Sequence, residues 1–130
     1  MNKKKNQKPL GDAIKKYRDK VAFLIKHKGA IIDQYARYVY IDDIEFRYGV
    51  SDCPLCSLFL VGRDFDTECD GCCIHFDTKK KYCNGTPYSE YETMLEETED
   101  MVSNELINQA KKELSYLESL YKRLYGSRKK

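Results

Sequence analysis

Residues 53–73 read CPLCSLFLVGRDFDTECDGCC, and together with Cys83 this stretch holds all six cysteines of a 130-residue chain. Two Cys-x2-Cys pairs, Cys53/Cys56 and Cys69/Cys72, stand twelve residues apart, followed by Cys73 and then by Cys83. A Cys-x2-Cys turn points backbone N–H groups at its sulfurs and so holds thiolates that would otherwise repel. Pro54 pre-sets the first turn, and Gly71 frees the second for the backbone conformation it needs. Four thiolates at tetrahedral distance fit zinc best, and metal binding then contributes folding energy directly. The expected ligands are four of Cys53, Cys56, Cys69, Cys72 and Cys83; spacing does not say which is left out. Cys73 is a sixth candidate, and the excess of sulfur also allows an iron–sulfur cluster, a redox iron or a spare reactive thiol. His75 reads as a neighbour of the site rather than a ligand. Six buried, unliganded cysteines are the plain alternative, which the double pair spacing disfavours.

Outward from this stretch the sequence turns helical on both sides. Leu10, Ile14, Tyr17, Val21, Leu24 and Ile25 recur in steps of three and four, ending near Gly29, which predicts an amphipathic helix. Residues 31–40 can continue as a second helix through Ile31, Tyr35, Tyr38 and Val39, although their β-branched and tyrosine content would equally suit a strand. Ile44, Phe46 and Tyr48 alternate with Glu45 and Arg47 as a short half-buried strand. On the other side Thr86 is an expected N-cap and Pro87 suits a first helical position. An apolar stripe then runs from Tyr91 to Leu124, with a break at Ser103 dividing it into helices over 88–100 and 104–125, and Gly126 supplies the stop. The stripe is expected to be a core face packed on the N-terminal helix, leaving a monomer; used as a coiled-coil seam it would make a dimer through the C-terminal helix. Tyr17, Tyr91 and Tyr121 fall on apolar faces and are expected in the core with hydroxyls near the surface. The fold class is α+β and helix-dominated. One domain is expected over 10–126 (10–50 helices and a short strand, 51–86 the zinc-knuckle region, 87–126 helical), between a flexible basic tail at 1–9 and a flexible tail at 127–130.

Composition, 42% hydrophobic and 34% charged, is that of a globular chain. The longest apolar run, Val21 to Ile25, is too short for a bilayer span or for the apolar part of a secretory signal, although Lys3, Lys4 and Lys5 mimic the charged start of one. A cytoplasmic location with no membrane partner follows by default, and thiols stay reduced there. The net charge of +2 hides an asymmetry: residues 1–30 carry ten Lys/Arg against two acids, and residues 86–110 carry seven acids and no base. The basic segment is expected to lie against the acidic one. The alternative is a nucleic-acid surface, with Lys79, Lys80 and Lys81 on phosphates and Tyr82 as a stacking ring. Lysine outnumbers arginine 17 to 6, a bias that an AT-rich genome produces by itself. No phosphate-binding glycine loop, GxSxG or HExxH is present, and His27 and His75 are the only histidines. The chain reads as a non-enzymatic protein.

The segments Cys53-Pro-Leu-Cys56, Cys69-Asp-Gly-Cys72 and Cys83-Asn-Gly-Thr-Pro-Tyr88, with the ending over residues 110–120, resemble a family of small cysteine-rich proteins of bacteriophages and low-GC bacteria. That family joins a CxLC turn, a CxxCP turn and a CxxTPY segment to a C-terminal helix. The resemblance covers roughly residues 50–120 and departs at Cys73, where the family usually has proline, so the role of Cys73 stays open. It implies a metal-binding phage protein without supplying a biochemical function; taken with the lack of catalytic groups, it leads to an accessory protein in the host cytoplasm that binds a host protein, another host macromolecule or a small signalling molecule, with counter-defence as a fitting role. Cys53–Cys56 also resembles one half of a rubredoxin site, the rest of which is missing.

Overall fold

Two long helices frame the molecule because their apolar residues recur with the helical period on one face. In the computed structural model, which describes residues 1–34, 39–48, 52–60, 62–80, 83–98 and 100–126, helix α1 spans Lys3–Lys26 and the last long helix spans Asn104–Tyr125. They run antiparallel: Tyr125 hydroxyl donates to the Lys3 carbonyl at one end, and Gly29 N–H donates to the Val102 carbonyl at the other. Leu10, Ile14 and Leu24 meet Leu106, Leu117 and Leu120 in the buried seam. Each such side chain contributes about 1.5–3 kcal/mol by leaving water. Because the stripe is consumed within the chain, it is a core face.

Between the long helices the chain forms a three-stranded antiparallel sheet of β1 (Ile32–Gln34), β2 (Val39–Ile41) and β3 (Ile44–Phe46), paired in the order β1-β2-β3. Ile32 lies opposite Ile41, and Val39 opposite Phe46, so the buried residues of the three strands share one face. The helix expected over 31–40 is therefore replaced by β1 and β2; Val39 and Ile41 bury alternate side chains on the pleated surface, where β-branched residues pack well. Tyr35 and Tyr38 lie outside the described residues. The β2–β3 turn places Asp42 and Asp43 at positive φ, a conformation Asp tolerates better than most residues.

Short helices then carry the cysteines: α2 (Pro54–Phe59), a 3-10 turn (Phe65–Thr67) and α3 (Cys73–Thr78). Helix α4 (Tyr88–Thr93) continues into a π-helical turn over Met94–Thr98, and Ser103 then caps α5 (Asn104–Tyr125) by accepting the Leu106 N–H at 3.1 Å. Ser103 is thus the break the sequence signalled. Pro87, not Thr86, is the N-cap of α4, one residue later than expected, with the Thr86 hydroxyl accepting the Tyr88 N–H at 3.1 Å, and Gly126 ends α5 at φ +81°. The whole is α+β and helix-dominated.

Three expectations change. Residues 1–9, read as a flexible basic tail, belong largely to α1, whose Asn2 cap accepts the Lys5 N–H at 3.0 Å. The reason is Asn6, which is fully buried and ties the first turns of α1 to the cysteine region. Tyr91, expected with its hydroxyl near the surface, is wholly buried, and its oxygen has no hydrogen-bond partner among the described residues. Finally, the ion pairs described for the basic segment run to Asp12, Asp52, Glu118 and, through His27, Asp42, all outside the acidic stretch. Residues 127–130 lie outside the described residues. No helix among the described residues is long and apolar enough to cross a membrane.

Candidate functional site

The cysteine region is positioned by α1. Asn6 Nδ2 donates to the Gly71 carbonyl at 2.8 Å, and its Oδ1 accepts the Cys73 N–H at 2.8 Å. One buried amide thereby fixes the start of α3 and the turn between Cys69 and Cys72. Helix α2 is joined to the same turn by the Cys69 N–H, which donates to the Phe59 carbonyl at 2.8 Å. Gly71 sits at φ +88° against the Phe59 ring, where an added Cβ would lie 3.0 Å from Cε1. Glycine is required there on both counts.

Cys53, Cys56 and Cys83 lie close enough to shift one another's thiols, and Cys53 is the N-cap of α2 without a side-chain capping bond, so the N–H-to-sulfur turn expected there is not formed. The contact with Cys56, together with burial, pushes the Cys53 thiol well up. For Cys56 the hydrogen bond from Cys53 lowers the pKa, but Cys83 and burial outweigh it and push it up to about 12. Cys72 pairs instead with Cys73. That thiol, with the Ile74 and His75 N–H groups, draws Cys72 down to about 7 against the effect of burial. Cys73 is fully buried in the core and its thiol is pushed far up, first by Cys72 and then by burial. It is a core residue with a thiol partner.

Cys56, Cys69, Cys72 and Cys83 line one small cavity between α2 and α3, with His75 at its edge. The His75 ring is already engaged: Nδ1 is 3.0 Å from the Lys80 carbonyl and Nε2 is 4.0 Å from Asp70. The donor set suits a soft, thiolate-binding metal. As the side chains stand, no disulfide joins the six cysteines, and no group of three or more His, Cys, Asp or Glu side chains among the described residues is arranged to hold a metal ion.

Of the alternative nucleic-acid residues, Lys79 caps α3 at positive φ with its ammonium 4.4 Å from the Phe76 ring centroid. The Lys80 carbonyl accepts from Thr78 Oγ1 at 3.2 Å. Lys81 and Tyr82 lie outside the described residues.

A second cavity, of ≈ 90 Å³, adjoins Cys53, Cys56 and Cys83 on their other side. Its buried wall is Glu113 of α5, only 2% exposed, with Oε1 lacking a hydrogen-bond partner. Burial pushes the Glu113 carboxyl up to about 8, against the lowering effect of the Thr86 side chain and the Tyr88 backbone N–H. Tyr17 and Tyr88 form further wall, and Tyr88 hydroxyl donates to Glu92 Oε2 at 3.0 Å. On the solvent side Lys16 and Lys20 both pair with Asp52. Burial alone would raise Asp52, but Lys20 and Lys16 lower it below its usual range. Sequence reasoning missed Asn6 and Glu113. Both carried a signal: Asn6 is in helical register with Leu10 and Ala13, and Glu113 falls between Ala110 and Leu117 on the apolar stripe.

Compared with models of protein families, with curated proteins and with solved structures, the chain matches none.

Proposed function

We infer that this is a non-enzymatic binding protein whose cysteine region is held by a thiolate-bound zinc ion. Four of Cys53, Cys56, Cys69, Cys72 and Cys83 would hold the ion. Zinc bound there would act as a structural cross-link between α2, α3 and the Cys83 loop. The observation that carries the reading is the convergence of Cys56, Cys69, Cys72 and Cys83 on one cavity from three separate segments. Chain thiols this far apart in sequence converge where something gains by having them together.

The partner is read from the sequence resemblance: a host protein, another host macromolecule or a small signalling molecule met by a phage-encoded protein, with counter-defence as one role. Native mass spectrometry of protein freshly isolated from its host tests metal and partner together. One zinc per chain, with a retained macromolecule or metabolite, is the expected spectrum. A metal-free mass, unchanged by refolding in the presence of zinc, removes the zinc reading. A colourless protein also removes the iron alternative, because thiolate-bound iron absorbs visible light.

A further inference from the structure

We propose that the cavity between α1, α4 and α5 is a binding site for a small primary ammonium group, with the Glu113 carboxylate as its anchor and the Tyr17 and Tyr88 rings as its walls. The proposal is argued from the carboxyl and the rings, although Cys53, Cys56 and Cys83 line part of the same cavity.

The first observation is Glu113 itself. It is nine-tenths and more buried, it lines the cavity, and Oε1 has no hydrogen-bond partner. Proteins pair nearly all buried polar atoms, so an orphan carboxylate oxygen facing a cavity marks a place for a donor. The second is charge. The groups acting on Glu113 are the Thr86 side chain and the Tyr88 backbone N–H, both neutral. Two cations, Lys16 and Lys20, line the cavity, and both are held by Asp52 rather than by Glu113: Lys16 Nζ lies 3.3 Å from Oδ1, and Lys20 Nζ contacts Oδ2. Glu92, on the opposite wall, adds a second acid. The inner end of the cavity therefore carries a carboxyl with no cation on it among the described residues, and an ammonium bound there would favour its ionised form.

The third observation is aromatic. Tyr17 and Tyr88 flank the buried Tyr91, with ring centroids 5.9 Å and 6.2 Å from it. Lys20 Nζ already sits 5.0 Å from the Tyr17 ring centroid, so this wall carries one ammonium in the structure itself. Aromatic faces beside a carboxylate recognise cations by attraction to the ring quadrupole. Volume sets the size of the group. A cavity of ≈ 90 Å³ is about three waters' worth of space. That admits an aminomethyl head but not a ring, and a longer amine would leave its tail toward Lys16.

The probe is methylammonium chloride, titrated at constant ionic strength into the full-length protein and followed by ¹H–¹⁵N NMR. Sodium acetate and methanol serve as the anionic and neutral counterparts. The expected result is saturable shifts at the Tyr88 and Leu117 amides with methylammonium only. Binding should weaken at least tenfold in Glu113→Gln and several-fold in Tyr88→Leu, a half-buried position whose loss does not touch the carboxylate. Saturation by acetate or methanol at the same amides, equal affinity in Glu113→Gln, or no saturable shift with any of the three probes overturns the assignment.

Discussion

Replacing Glu113 by Gln should make the protein more stable, and the gain should grow with pH. Burial holds the Glu113 carboxyl near 8 against an ordinary value of 4.5. Below 4.5 the group is protonated in both folded and unfolded chains and costs nothing. As pH rises through the ordinary value the unfolded chain gives up its proton while the folded one keeps it, so stability falls until the folded group also ionises near 8. At 1.36 kcal/mol per pH unit the penalty is under about 1 kcal/mol at pH 5 and about 3 kcal/mol at pH 7. Glutamine keeps the size and the hydrogen-bonding capacity but has no proton to lose. Urea unfolding of both proteins at pH 5, 6 and 7 should therefore show a difference that shifts in favour of the variant by about 2–3 kcal/mol over that range. Parallel stability curves, with the same difference at pH 5 and pH 7, would refute the reasoning. They would mean that Glu113 is ionised in the folded protein and paired.

Other perturbations bear on separate parts of the structure. Asn6→Ala removes the amide that bonds Gly71 and Cys73 and leaves their backbone groups without it, so a loss of about 2–3 kcal/mol is expected in chemical denaturation, with earlier proteolysis of the cysteine region. Gly71→Ala places a methyl group against the Phe59 ring at a positive φ and should cost about 1–3 kcal/mol by the same measurement. Prolonged treatment with a strong chelator should release one equivalent of zinc, read by a colorimetric indicator. It should also increase hydrogen exchange over residues 53–83 more than over α1 and α5; release without any change in exchange would count against a structural ion. Cys56→Ser should abolish that equivalent and Cys73→Ala should retain it, because Cys73 is buried in the core away from the cavity that Cys56 lines.

The helical framework was legible because a 3.6-residue period survives in the order of residues. Leu10 to Leu24 and Tyr91 to Leu124 each spell one face, from which Ile25 falls, half exposed, and Ser103 and Gly126 carry local capping chemistry that does not depend on distant partners. The stretch over 31–40 was ambiguous for the complementary reason: Ile32, Val39 and Ile41 satisfy either period, and only pairing with β3 selects the strand. Sequence spacing also specified that the thiols come in Cys-x2-Cys turns, since two residues between sulfurs is a local matter.

Which sulfurs meet across segments was settled by tertiary structure. Cys56, Cys69, Cys72 and Cys83 line one cavity while Cys73 is buried in the core, and the start of α3 is anchored to Asn6, sixty-seven residues away. The charge pairing was settled the same way. Coulomb energy depends on separation in space, so the +8 and −7 segments of the sequence said how much charge there was, while the packing of α2 and the residues before it on α1 decided that Lys16 and Lys20 meet Asp52. Glu113 and Asn6 sum up the division. Their places on apolar stripes were written in the sequence, but the cost of burying a carboxyl and the use made of a buried amide arise only when the neighbouring helix removes the water.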